Sequence, residues 1–322
     1  MSKHSLRCEV PLVQALQNAA SLRQQPRPKQ GISQRFNTMF TAYGFLLPAL
    51  AIFVTFTYYP LLQVFYLSFT DADMISPPQL IGTENYQLLT KDPAFLNSLK
   101  VTTIFSLATT VLEVILGMAL GFLMNTKMRV QGLVRGAVFA PVVVSVTATA
   151  ILWLYFLNPN VGPFNLLLNS LGLPAPNWLE QTSSALAAVI LTNVWKSVGF
   201  AAVLYLAGLQ AIPEQLREAA QVDGANTWQV TRFITIPLLS PTTALVFFIS
   251  LVGSFQAYGL VLLMTRGGPA GSTNMLAYYL YENAFRFFDM GYAAAISIVL
   301  FIVLVVISVL QFKLTESKVH YQ

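Results

Sequence analysis

Six stretches of about 20 or more mostly apolar residues dominate this 322-residue sequence and leave few folds open to it. A helix of that length crosses the hydrocarbon core of a bilayer, where only helices and closed barrels satisfy all their backbone groups. The composition agrees, because only 10% of the residues are charged, against about 25% in soluble domains. The sequence therefore predicts an all-α integral membrane protein with six transmembrane helices, at about 43–67, 102–124, 133–156, 185–209, 241–264 and 291–312.

The Lys and Arg residues orient these helices. With the N-terminus inside, only Lys91, Lys100, Arg266 and Arg286 of the 18 basic residues fall in outside segments, and Lys196 falls within a helix. Positively charged residues concentrate in cytoplasmic loops, so both termini and residues 212–237 are predicted to be cytoplasmic. The predicted organisation is an N-terminal tail (1–40), a six-helix transmembrane domain (41–315) and a C-terminal tail (316–322).

Two outside segments, 68–100 and 158–184, contain several prolines and aromatic residues. Segments of this composition and length are expected to be ordered. Two interpretations stay open for them: a docking surface for a soluble partner, or loops that simply cover the ends of the helices.

Residues 212–237, which we call the coupling segment, form a charged insert between two apolar runs and read IPEQLREAAQVDGANTWQVTRFITIP. Pro213 suits the first position of a helix, and Gly224 can adopt the left-handed conformation that ends one. Asn226, with Gln229 three residues later, has the spacing of a capping box. The pattern predicts two short amphipathic helices joined by a turn.

Motifs for chemistry are missing from the sequence. It has no G-x-x-x-x-G-K-[ST] phosphate loop, its two histidines (His4 and His320) lie in the tails, and Cys8 is its only cysteine. We therefore expect neither a catalytic residue nor a metal site in this chain. The net charge of +5 is spread along the sequence, so nucleic acid is not an expected partner.

Glu113 and Lys196 lie near the middle of the predicted second and fourth helices. Ionisable side chains are costly inside a membrane and usually face a partner or a wet cavity. Opposite charges at similar depth allow a buried ion pair. Separate contacts with a polar cavity are the alternative.

Further polar side chains lie in the same helices. Their donors and acceptors suit a path for a hydroxyl-rich substrate such as a sugar, although hydrogen bonds between helices explain them equally well. The candidate substrate path comprises Glu113, Asn193, Lys196, Ser254, Gln256 and Tyr258.

The coupling segment has the spacing E-A-A, three residues, G, nine residues, I-x-I-P, with Glu218, Ala219, Ala220, Asp223, Gly224, Ile234 and Pro237 as its candidate coupling residues. This spacing resembles the cytoplasmic coupling loop of binding-protein-dependent ABC import permeases. Ile236 departs from that family, which usually has Leu before the final Pro. The sequences WLYFLNP (153–159), AGLQAIP (207–213), MTRGGP (264–269) and YYLYENAF (278–285) are similar to carbohydrate permeases of the maltose and glycerol-3-phosphate types.

The resemblance implies the type I importer fold and a permease subunit for a sugar or related glycoside, located in the bacterial inner membrane. It implies a heterodimer with a second permease, two ABC ATPase subunits that bind the ATP and Mg, and an extracytoplasmic solute-binding protein. In that arrangement the chain is not an enzyme, because ATP hydrolysis belongs to the partner. Import of glycerol-3-phosphate or another phosphorylated polyol is the alternative, and a non-transport membrane scaffold is a third hypothesis.

Overall fold

The computed structural model describes residues 32–126 and 128–316. This part of the chain is helical, and its only β feature is an isolated bridge between Thr70 and Leu80. The chain as a whole divides into two compact units, 1–61 and 62–322. The predicted tails lie largely outside the described residues, although the first helix already begins at Ile32, inside the segment predicted as tail.

The first unit contains helix α1 (Ile32–Phe53) and a short π-helical segment, Val54–Tyr58. Helix α2 (Tyr59–Leu67) begins in this unit and continues the same apolar stretch. Together they cover the predicted first span, and no side chain within its most apolar window is buried. A fully exposed apolar helix fits a lipid environment or a contact with another chain.

The second unit is built on long helices. They are α4 (Pro93–Asn125), α8 (Thr182–Ala211) and α15 (Met290–Glu316). The second span begins well before the predicted residue 102, because Asp92 caps α4 by accepting a hydrogen bond from the Ala94 amide at 2.8 Å. Pro93 then occupies the first helical position, where its missing N–H costs nothing.

Two predicted spans are broken rather than straight. The third consists of α5 (Gln131–Val143) and α6 (Val146–Phe156), which meet at 103°. The fifth consists of α12 (Ser240–Phe255) and α13 (Tyr258–Met264), separated by Gln256 and Ala257. Sequence alone missed both breaks, because an apolar run looks the same whether its helix continues or turns.

The remaining helices are short. Outside the coupling segment they are α3 (Glu84–Lys91), α7 (Pro163–Ser170) and α14 (Leu276–Phe285). Within the coupling segment they are α9 (Glu214–Val222), α10 (Thr227–Val230) and α11 (Ile236–Leu238), with a π-helical segment at Thr231–Thr235. Among the described residues, four helices are long and apolar enough to cross a membrane, and two bent pairs, α5 with α6 and Thr227–Leu238 with α12, bring the number to six when each pair counts as one span. The predicted six-span helical fold is confirmed.

Helices α4 and α8 share the most extensive helix–helix contact of the second unit. A Cβ added to Gly117 would lie 2.7 Å from the Cβ of Ala201, and one added to Gly121 would lie 2.7 Å from the Cβ of Tyr205. The G-x-x-x-G spacing on α4 therefore has a packing role, because small residues let two helices approach closely in a membrane.

On the predicted outer side, Asp92 ties three helices together. Its carboxylate accepts hydrogen bonds from the hydroxyls of Tyr279 on α14 at 2.5 Å and Tyr292 on α15 at 2.7 Å. Burial acts to raise the pKa of Asp92, but these hydrogen bonds outweigh it and hold that pKa below its ordinary value. Burial and the adjacent carboxylate raise the pKa of Tyr279 to about 12. Segment 68–100 is thus held to α14 and α15 through Asp92.

Candidate functional site

The coupling segment adopts the predicted helix–turn–helix form through local contacts. Gly224 ends the first helix with φ +86°, a left-handed conformation that residues with a side chain rarely adopt. Asn226 and Gln229 form the predicted capping box, with hydrogen bonds of 2.9 and 2.8 Å between side chains and backbone amides. The assignment of Pro213 was wrong by one position, because it adopts an extended conformation and caps α9, which begins at Glu214.

Most candidate coupling residues are accessible. Glu218, Ala219, Asp223, Gly224 and Pro237 are exposed, whereas Ala220 and Ile234 are half-buried. Large apolar side chains of the same segment are also open to solvent, with exposed fractions of 87% for Val222, 68% for Trp228 and 70% for Phe233. Exposed apolar residues clustered with charges are typical of a surface that binds another protein.

A second feature of the segment is a cavity of about 450 Å³ behind α9. Arg217, Glu218 and Gln221 line its α9 side, while Asn125 and Thr126 from the end of α4 line the other. The face of α9 that carries Glu218 therefore adjoins a membrane-spanning helix.

A cavity of about 290 Å³ lies within the spans, where α4, α8 and α12 meet; its surface is mostly apolar but includes six polar side chains, and we call it the polar cavity. Glu113 of α4 is only 4% exposed. Its Oε1 accepts hydrogen bonds from the Ser197 hydroxyl and from the Asn193 amide, the latter at 3.4 Å. The Glu113 carboxylate in this cavity therefore has hydrogen-bond partners within the protein.

Lys196 lines the same cavity, but its ammonium bonds to backbone. Nζ donates to the Val144 carbonyl at 2.5 Å and approaches the Val142 carbonyl at 3.5 Å. Over the described ranges, ion pairs join only Arg217 to Glu214 and Arg286 to Glu282. The structure therefore favours separate contacts with one cavity over a direct pair between Glu113 and Lys196.

The geometry of α8 explains this outcome. Asn193 and Ser197 are four residues apart and share the face that meets Glu113. Lys196 is one residue from Ser197, which rotates its side chain by about 100° around the helix axis toward α5. Glu113 and Lys196 line one cavity because they lie at similar depth. They have different neighbours because Lys196 points in a different direction around the axis of α8 than Asn193 and Ser197 do.

The remaining predicted path residues divide into two groups. Ser254 is 3% exposed and lines the cavity. Gln256 and Tyr258 lie at the break after α12 and do not line it, and the Tyr258 ring stacks on Tyr281 with centroids 6.0 Å apart.

Nine cavity residues were missed from sequence, among them the polar Ser197 and Ser250 and the aromatic Phe200. Helical spacing provides the clue that finds two of them. Ser197 lies four residues after Asn193 and Ser250 lies four residues before Ser254, so each shares a helix face with a predicted residue.

Comparison with known proteins gives a consistent result. The family model "Binding-protein-dependent transport system inner membrane component" matches residues 113–320. The trehalose/maltose transport system permease protein MalF of Thermococcus litoralis is 32% identical, over 84% of this chain and 92% of the relative. The sn-glycerol-3-phosphate transport system permease protein UgpA of Agrobacterium fabrum is 31% identical, over 89% of this chain and 98% of the relative.

A solved structure is similar over most of its length. A chain of a bacterial alginate ABC transporter, crystallised with an alginate pentasaccharide-bound periplasmic protein, aligns with a TM-score of 0.78 and 25% identity. The match covers 87% of this chain and 95% of that one. With six apolar spans and the family match extending from Glu113 nearly to the C-terminus, this chain belongs to the family of inner-membrane components of binding-protein-dependent transport systems and is a multi-pass ABC transporter permease.

Proposed function

We propose that this permease forms half of the translocation path of an ATP-driven importer for a sugar or related glycoside. The observation that carries the proposal is the polar cavity inside otherwise apolar spans. Glu113 offers a carboxylate acceptor, while the amide of Asn193 and the hydroxyls of Ser197 and Ser250 both donate and accept. Sugar hydroxyls also donate and accept, so a neutral, hydroxyl-rich molecule matches this set. The volume is near the lower end of small-molecule sites, about 300–1,000 Å³.

The coupling segment supplies the contact with a separate ATPase. Its exposed Val222 and Trp228 lie close in sequence to Glu218, which combines apolar area with charge on one surface. In the proposed mechanism, ATP closes a dimer of two ABC ATPase subunits and draws the coupling segments of two paired permeases together. The cavity then opens outward to receive substrate from an extracytoplasmic solute-binding protein. ATP and Mg bind to the ATPase, and hydrolysis resets the cycle.

Import of glycerol-3-phosphate or another phosphorylated polyol is the second candidate. The similarity to the Agrobacterium permease favours it, together with an ammonium group in the cavity wall at Lys196. Glu113 in the same wall opposes it, because a carboxylate repels a phosphate. We therefore rank the neutral sugar first.

Uptake by the purified complex tests the function. Affinity-tagged chain isolated from native membranes is expected to bring down an ABC ATPase and a second six-span protein. In proteoliposomes containing this complex and its binding protein, ATP should drive accumulation of maltose or trehalose, and a non-hydrolysable ATP analogue should not. Accumulation of glycerol-3-phosphate instead would select the second candidate, and recovery of the chain with no ATPase would support a non-transport scaffold.

The proposed orientation places the coupling segment and both termini in the cytoplasm. Two exposed positions outside the coupling segment test it, Ile75 at 91% exposed and Val130 at 52%. In a Cys8→Ser background, a membrane-impermeant maleimide applied to spheroplasts should label Ile75→Cys and should label Val130→Cys only after lysis. The opposite pattern would invert the orientation.

A further inference from the structure

The third span has a break at which backbone carbonyl groups lack their usual partners within a helix. Helix α5 ends at Val143 and α6 begins at Val146, with the two axes at 103°. The last carbonyls of a helix lack α-helical partners, and at this break the Pro141 carbonyl accepts instead from the Val144 amide at 3.2 Å. Inside a bilayer an unpaired carbonyl is costly. The break therefore requires a donor from elsewhere in the protein.

Lys196 is that donor. Its ammonium lies 2.5 Å from the Val144 carbonyl oxygen and 3.5 Å from that of Val142. A cation beside the end of a helix also complements the negative pole of the helix dipole. The other side of the break is satisfied locally, because the Ser145 hydroxyl caps α6 by accepting from the Ala148 amide at 3.2 Å.

The two halves of the span differ in their main neighbours. Helix α5 packs directly on α8, where a Cβ added to Gly199 would lie 2.2 Å from the Val138 carbonyl oxygen. Helix α6 packs mainly on α13, where a Cβ added to Gly259 would lie 3.2 Å from Val146 Cγ1, and it also contacts α8, with the Trp153 and Trp195 ring centroids 5.8 Å apart. Gly199 is three residues after Lys196, so both belong to one face of α8. The ammonium thus acts where the first half of the span ends, on the helix that packs most closely against this half.

We propose that Lys196 is a positioning residue that caps the first half of the third span and sets the angle of its break. In this role it is neither a counter-ion for Glu113 nor a ligand for the transported molecule. Glu113 has its own partners in Ser197 and Asn193. The inference concerns the fold of this chain, and its structural test does not depend on the proposed function.

The test measures the break directly. Spin labels at Leu133→Cys on α5 and Ile151→Cys on α6, both exposed (75% and 62%), report the distance across it in the Cys8→Ser chain. The complete transporter in nanodiscs is expected to give one narrow distance distribution. Lys196→Met should broaden or shift it, because the carbonyls lose their donor, whereas Lys196→Arg should retain it. If Lys196→Met does not fold, Lys196→Gln, which keeps an amide donor on a shorter side chain, should show the same broadening in milder form.

Two variants at Glu113 and Ser197 serve as controls. Ser197→Ala and Glu113→Gln alter the same cavity without touching the Val144 carbonyl, so both should keep the parental distance. An unchanged distance in Lys196→Met, or in Lys196→Gln where only that variant folds, would overturn the proposal. A shifted distance in Glu113→Gln, reversed by combining it with Lys196→Met, would assign Lys196 to a counter-ion role instead.

Uptake kinetics distinguish a positioning residue from a substrate ligand. Loosening the break should lower the maximal rate of uptake with KM unchanged, and Lys196→Arg should restore that rate. A rise in KM alone, with the parental spin-label distance, would identify Lys196 as a ligand and reject the positioning role.

Discussion

The coupling segment and the polar cavity are both polar regions of an apolar chain, but they are built in opposite ways. The coupling segment is continuous in sequence, and residues within a few positions of one another hold its shape, as in the capping box of Asn226 and Gln229. The cavity joins Glu113 to residues 80 and 84 positions away. One region depends on local backbone geometry, and the other depends on how closely long helices approach.

Two glycines illustrate this difference. Gly224 has open space around its Cα and is needed for its φ of +86°. Gly199 is helical and is needed because a carbonyl oxygen of α5 occupies the place of a side chain. Substituting each glycine in turn therefore tests whether the coupling segment and the packing of the long helices can be altered independently.

The largest expected effect on folding is at Gly199. Gly199→Ala should destabilise the protein by about 1–3 kcal/mol, the usual range for overpacking, because backbone cannot move aside as a side chain does. Thermal unfolding in detergent measures the change. Gly136→Ala on α5, with nothing within 4 Å of the added Cβ, is the matched control and should be neutral or slightly stabilising. Equal losses in both variants would mean that helix approach does not control this region.

Gly224→Pro is expected to act on coupling with little effect on overall stability. Proline fixes φ near −65°, so the turn between α9 and α10 must rearrange. ATP hydrolysis by the complex should continue while uptake falls to background. Gly224→Ala is the milder companion and costs about 1–2 kcal/mol locally. Coupled transport in the proline variant would show that the turn geometry is not used.

Charge reversal at Glu218 tests the coupling segment again, with a smaller expected effect than Gly224→Pro. Glu218 is exposed and its segment is held by contacts elsewhere, so Glu218→Lys should leave the melting temperature unchanged. It should weaken co-purification of the ATPase, most clearly at low salt, where surface charges are least screened. Glu214→Lys on the same helix is the control for a general charge effect. An equal loss in both variants would remove the specific role of Glu218.

The smallest expected effect is at the cluster of Asp92, Tyr279 and Tyr292, which shares one property with the cavity and one with the coupling segment. It is assembled from distant parts of the chain, as the cavity is, but it lies outside the apolar spans. Tyr279→Phe removes one hydrogen bond to the carboxylate and should cost about 1 kcal/mol. A melting temperature identical to that of the parent protein would show that the Tyr279 hydrogen bond does not contribute to stability.

The pH dependence of this cluster has a definite sign. Because the pKa of Asp92 is lowered in the folded protein, its stabilising contribution is complete above the ordinary value of 3.8 and is lost as pH falls through the folded value. Tyr279 acts in the opposite direction, since its pKa is raised from 10.0 to about 12. Its contribution is complete below pH 10 and is lost between pH 10 and 12. Unfolding scans across that alkaline range should show a steeper loss in the parent protein than in Tyr279→Phe.

Sequence reasoning succeeded where the governing interactions are local or additive. Six apolar stretches predict six spans because the free energy of inserting a helix is summed over its own residues. The Gly224 turn and the Asn226 cap were predictable for a similar reason, since their partners lie within a few residues. Glu113, Asn193, Lys196 and Ser254 were recognised as candidates because polar groups are costly in any apolar helix.

Tertiary structure decided which of those polar groups meet. Depth along two helices could be estimated from sequence, but the rotation of α8 about its axis relative to α4 could not. That rotation directs Ser197 and Asn193, rather than Lys196, toward Glu113. The break at Val144 was equally hidden, because the donor that stabilises its carbonyl comes from a residue 52 positions later. The sequence by itself determined the membrane class, the spans and the shape of the coupling segment. The cavity and the bend were decided only when the helices packed, because each polar atom there is satisfied by a partner that no local pattern specifies.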